Sequence, residues 1–198
     1  MAIDQIHDLQ QVYRKLLHSM SRPGTITSIQ TQAEEMDYGF SCNPATILSA
    51  MALLDAEVTF HVLSQKKQEL IEKISEYTSA RFAPADEADF IIVLKEDEEQ
   101  AILQTMAECK IGSLIDPHQS ATWIIESPFL TNEGKFRMTG PGIQTEARLR
   151  TDMPAAFWQE RNKRIKEYPM GIDLVFADDA GQLACMPRTT SVITAEVE

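Results

Sequence analysis

Cysteine is scarce, and none of it is arranged for metal or redox chemistry. Cys42, Cys109 and Cys185 are an odd number without a Cys-x-x-Cys pair, a usage that fits reduced interior thiols and excludes a disulfide framework. His7, His18, His61 and His118 lack the close pairing that announces metal ligands, so no metal site is expected. There is no Gly-x-Ser-x-Gly elbow, no Gly-x-Gly-x-x-Gly fingerprint and no glycine-rich loop ending in Gly-Lys-Ser/Thr, which removes the common nucleophile and nucleotide signatures. No apolar run approaches the roughly 18 residues of a membrane span. The opening Met1-Ala-Ile-Asp-Gln-Ile-His7 has no basic region followed by an apolar stretch, and the expectation is a soluble, cytoplasmic protein. Positive charge is in deficit: 18 Lys and Arg face 30 Asp and Glu, a net charge of −12. Such a field repels phosphate backbones and anionic lipid, so neither nucleic acid nor membrane is an expected partner.

What is present suits one core. A chain of 198 residues, 43% hydrophobic and 24% charged, supports a single domain over 1–198, and no repeat or linker divides it. Ile6, Leu9, Val12, Tyr13, Leu16, Leu17 and Met20 follow helical spacing and predict a helix with one buried face, stopped by Ser21-Arg22-Pro23-Gly24. A strand follows at Thr25–Ile29. Asn43-Pro44 reads as an N-cap with proline in the first turn, opening a nearly buried helix over Ala45–Leu54. Strand Val58–Leu63, helix Gln65–Thr78, strand Asp89–Leu94, helix Asp97–Ala107 and strand Thr122–Glu126 come next. This alternation predicts an α/β fold, a mixed sheet flanked by helices on both faces with some parallel pairing. The last third predicts a strand at Lys135–Thr139, a turn at Gly140-Pro141-Gly142, a helix at Met153–Ile165, and strands at Ile172–Ala177, Leu183–Pro187 and Ser191–Val197. Asp178-Asp-Ala-Gly181 supplies turn chemistry between the first two of these strands.

Charge is uneven along the chain. Asp86–Glu99 is dense in carboxylates, whereas Arg137, Arg148, Arg150, Arg161, Lys163 and Arg164 crowd the second half, where any anion would be held. Thr139-Gly140-Pro141-Gly142-Ile143 is the best local anion candidate, because glycines let backbone N–H groups converge, with Arg137 and Arg148 nearby. The competing reading is a tight loop chosen for backbone geometry. Arg188-Thr189-Thr190 joins a bidentate donor to two hydroxyls and can grip a phosphate or carboxylate. An internal ion pair or subunit contact is the alternative. Asp173, entering an apolar strand, can receive backbone N–H groups or pair with an arginine.

In order, Arg137-Met-Thr-Gly-Pro-Gly-Ile143, then Glu146, then Pro169-Met-Gly-Ile-Asp-Leu174 and Pro187-Arg-Thr-Thr190 resemble the H subunit of bacterial carbon-phosphorus lyase. So does the start, where a helix with Val12-Tyr-Arg-Lys-Leu-Leu17 runs into Met20-Ser-Arg-Pro-Gly24. The resemblance spans nearly the whole chain and is loosest in the middle, around Lys66-Lys67 and Glu96–Glu99. It implies a fold related to the large domain of pyridoxal-phosphate-dependent transferases with a vestigial cofactor pocket, a homodimer in isolation, and assembly with the G, I and J subunits. In that complex a phosphonate is coupled to ribose triphosphate, giving ribose 1-phosphonate 5-triphosphate, and an iron-sulfur cluster on the J subunit serves the later cleavage. Three scattered cysteines cannot hold such a cluster, and neither Lys110 nor Lys135 lies in a Schiff-base motif. No cofactor is expected here, and the chain reads as an accessory subunit. Arg137, Gly140, Gly142, Glu146, Asp173, Arg188, Thr189 and Thr190 are the ligand or interface candidates. The rival reading is a stand-alone phosphate-ester or nucleotide binding protein or enzyme using Gly140–Ile143 and Arg188.

Overall fold

The computed structural model describes residues 6–36, 39–64 and 67–194, apart from the side chains of Lys135 and Thr194. The expected helix start at Gln65 and Lys66, and the expected strand residues Ala195, Glu196 and Val197, lie outside those residues. The chain opens with α1 (His7–Ser21), β1 (Ile26–Ser28) and a short α2 (Gln30–Glu34), then α3 (Pro44–Leu53), β2 (Thr59–Leu63) and α4 (Lys67–Thr78). A two-residue β3 (Arg81–Phe82), β4 (Phe90–Val93), α5 (Glu99–Glu108) and β5 (Thr122–Ser127) follow. The last third holds β6 (Thr131–Thr139), β7 (Ala147–Arg150), α6 (Ala155–Arg164), β8 (Asp173–Asp178), β9 (Gln182–Met186) and β10 (Ser191–Thr194).

Seven strands form the main sheet in the order β1-β9-β8-β5-β4-β2-β3. β3, β2, β4, β5 and β8 are mutually parallel, whereas β9 runs antiparallel to β8, and β1 antiparallel to β9. The tight turn after Asp178 dictates that change of sense, since a short connection joins only antiparallel neighbours. Parallel pairs need longer crossovers, and α5 supplies the one between β4 and β5. In the central strands residues alternate between two apolar clusters. Ile92, Ile124 and Val175 meet Val12, Leu16, Ile47 and Leu48 of α1 and α3 on one face. Ile91, Trp123 and Phe176 meet Ile102, Phe157 and Trp158 of α5 and α6 on the other. Burial on both faces explains why these strands read as continuous apolar runs. The fold is therefore mixed α/β, with helices on both faces of a mixed sheet.

The expected strands at Lys135–Thr139 and Ser191–Val197 join in a second sheet of order β10-β6-β7, with Val192 opposite Met138. β7 was not apparent in the sequence. Its Ala-Arg-Leu-Arg pattern buries only Leu149, too little alternation to stand out from a charged loop. Met138, Leu149 and Val192 belong to the same cluster as Trp158, so this small sheet closes one face of the core alongside α5 and α6.

Candidate functional site

The motif segments, far apart in sequence, meet at one junction. In the last turn of α1 lies Ser19, whose hydroxyl donates to the Thr25 carbonyl at 2.8 Å and accepts from the Cys185 N–H at 2.9 Å, fixing the Arg22-Pro23-Gly24 turn against β9. The Gly140-Pro141-Gly142 turn packs between that corner and the β9–β10 connection. A Cβ on Gly140 would lie 2.7 Å from the Thr189 carbonyl oxygen, and one on Gly142 would collide with the Ser21 carbonyl. Gly142 also has φ +84°, a conformation that favours glycine. Both glycines are occupied with close backbone contact.

Asp173, the first residue of β8, binds Arg188. Its Oδ1 accepts from the Arg188 backbone N–H at 2.7 Å and from Nε at 3.3 Å, and its Oδ2 accepts from Nη2, a bidentate ion pair with both side chains less than a fifth exposed. The remaining guanidinium nitrogen donates to the Pro117 carbonyl. Thr189 is half-buried and Thr190 fully buried. Arg137 and Arg148, opposite each other on β6 and β7, flank Glu146 at 3.9 and 3.5 Å on an exposed face. The candidates thus divide into a packed junction of Gly140, Gly142, Asp173, Arg188, Thr189 and Thr190, and a surface cluster of Arg137, Glu146 and Arg148.

Beneath the junction lies a residue the sequence reading passed over as one of several basic ones. Arg161 of α6 is 0% exposed and donates to the carbonyls of Thr190 and Pro187, both at 2.9 Å. Burial pulls its pKa down to about 10, with Asp173 acting in the opposite sense. The clue was available: Arg161 shares a helix face with Phe157 and Trp158, four and three residues earlier, and those rings are core.

The carboxyl end of the parallel sheet holds a second group missed in sequence. Strand order reverses between β2 and β4, the kind of switch point where open α/β sheets bind ligands. Glu126, 1% exposed at the end of β5, there accepts hydrogen bonds from the backbone N–H of Asn43, which caps α3, and from that of Lys95 at 3.3 Å. A protein carboxylate thus takes the place at a helix N-terminus that an anion would favour. Burial raises its pKa, and the two N–H donors oppose that rise. Nearby, Lys95 pairs with Asp179 at 2.8 Å. Asp97 is pushed up to about 6 by burial and by the charges of Glu96 and Glu126, against the Leu94 N–H. A carboxyl raised above its unfolded value of 3.8 binds protons more readily in the fold, so stability falls as pH rises from 3.8 to about 6. Asp97→Asn is therefore expected to raise the melting temperature at pH 8 and to do so progressively less down to pH 4, as a thermal melt series would read.

The other reactive groups are occupied. Burial pushes the Cys42 and Cys185 thiols up to about 12, and Cys109 upward as well, so all three stay protonated and poorly nucleophilic near neutral pH. Lys110 pairs with Asp89. Among the described residues no group of three or more His, Cys, Asp or Glu is placed to hold a metal ion, and no helix is long and apolar enough to cross a membrane.

Comparison with known proteins agrees with the motifs that converge at the junction. Residues 2–193 match the family described as bacterial phosphonate metabolism protein (PhnH). The chain is 26% identical over 188 residues, covering 92% of this chain and 85% of the relative, to HtxG of Stutzerimonas stutzeri, named as a C-P lyase subunit protein. With the match spanning nearly every described element, the chain belongs to the PhnH family of bacterial phosphonate metabolism proteins.

Proposed function

We propose that this protein is an accessory subunit of a carbon-phosphorus lyase core complex. It associates with the G, I and J subunits while they form ribose 1-phosphonate 5-triphosphate from a phosphonate and a nucleoside triphosphate. In isolation it is a cytoplasmic homodimer. The reading rests chiefly on what the motif residues do: Gly140, Gly142, Asp173, Arg188 and Thr190 are spent on holding the turn after α1, the β6–β7 turn and the β9–β10 connection together. Residues used in this way preserve a shape, and a shape is what a partner subunit recognises. The relationship to a pyridoxal-phosphate transferase domain with a vestigial pocket belongs to the same proposal. The engagement of Lys110 by Asp89 supports it, because a Schiff-base lysine must present a free amine.

Calorimetric titration of the isolated chain with ATP and with methylphosphonate separates this reading from the stand-alone one. No saturable heat is expected. Saturable binding that disappears in Arg188→Ala would transfer the chemistry to this chain. Arg188→Ala itself is expected to lower stability by about 2 kcal/mol, because it strips a largely buried carboxylate of its partner, and urea unfolding would measure the loss.

A further inference from the structure

The apolar stripe of α1 is wider than the arc the rest of the chain covers. Val12 and Leu16 are 0% and 4% exposed, whereas Tyr13 and Leu17, one turn apart on the adjoining arc, are 48% and 57% exposed. Beside them opens a groove of about 260 Å³, walled by Tyr13, Leu17 and Met20 of α1 and by Leu53, Phe90 and Pro187. Its polar lining is Thr122 and Asp173, and the Asp173 carboxylate is already held by Arg188. Phe90, Thr122 and Asp173 each begin a parallel strand, so the groove lies at the amino ends of the sheet. Small-molecule ligands of open α/β sheets bind at the opposite ends. An apolar cleft continuous with exposed aromatic and aliphatic side chains fits a protein partner better than a phosphorylated metabolite.

Charge narrows the choice of partner. The chain carries a net charge of −12, yet the exposed residues of α1 and its following turn include Arg14, Lys15, His18 and Arg22. Arg14 and His18 each follow an exposed apolar residue and lie about 100° further round the helix, so the solvent rim of the stripe is basic. A two-fold contact centred on α1 would set this basic rim against its own copy, since an isologous interface pairs each patch with itself. We infer that the groove and the exposed arc of α1 dock an apolar side chain presented by an acidic segment of another subunit of the complex. This rests on the proposed role as a subunit.

The experiment uses the full chain co-expressed with the G, I and J subunits, in wild-type form and as Leu17→Glu and Arg14→Glu, with circular dichroism of each variant to confirm folding. Both positions are exposed. The expected result is retention of the wild type, a loss of about tenfold or more in affinity for Leu17→Glu, and weaker, less salt-sensitive binding for Arg14→Glu. Undiminished retention of both variants overturns the docking site and leaves the subunit role standing. Failure of the wild type to associate overturns both. If Leu17→Glu dissociates a dimer of the isolated chain while association with the other subunits is unchanged, the face belongs to a second copy and the inference is overturned.

Discussion

Arg161→Ala is expected to lose about 3 kcal/mol or more of unfolding free energy, the sum of a large-to-small cavity, a Thr190 carbonyl deprived of the guanidinium and a Pro187 carbonyl left with only the Thr190 N–H. The guanidinium holds the Pro187 and Thr190 carbonyls from below, and the connection it pins carries Arg188 and meets Gly140. The consequence therefore extends from α6 to the junction. For a chain of this size the loss corresponds to a fall of roughly 10 °C in melting temperature. Arg161→Met separates the two contributions, because it fills much of the volume, removes the desolvation cost of the cation and still withdraws the guanidinium from both carbonyls. It is expected to lose about half as much as alanine. Urea unfolding of both variants checks the order, and a methionine variant as unstable as the alanine one would mean that hydrogen bonding dominates.

Gly142→Ala is expected to cost about 3 kcal/mol, combining a left-handed backbone with a Cβ driven into the Ser21 carbonyl. Gly39 supplies the internal control. It too has positive φ, +59°, but a Cβ there meets nothing within 4 Å, so Gly39→Ala is expected to cost only about 1 kcal/mol. Thermal unfolding of the two variants side by side isolates the steric part. Equal losses would show that the turn after α1 yields to the added methyl.

The helices with a clear stripe and the strands buried on both faces were legible in the sequence. α1, α3 and α4 appear where their periodicity and capping place them, and Asn43 caps α3 by accepting from the Thr46 N–H at 2.7 Å. Elements that bury little were not legible: α2 has only Gln32 buried, β3 has two residues, and β7 buries only Leu149. The same limit applies to the site. For Asp173 an arginine partner was one option beside backbone N–H groups, and for Arg188 an internal ion pair stood beside a subunit contact and a bound anion, but local sequence carries no signal that joins two residues across the β8–β9 hairpin. Glu126 and Arg161 escaped notice because a charge in the core looks like any other charge until its backbone partners are brought to it by the fold.

The most direct measurement is the mass of whatever the chain retains when co-expressed with the G, I and J subunits and purified through a tag on this chain alone. A stable assembly containing those subunits is the expected result. Purification as an isolated dimer, with the other subunits in the flow-through, would contradict it.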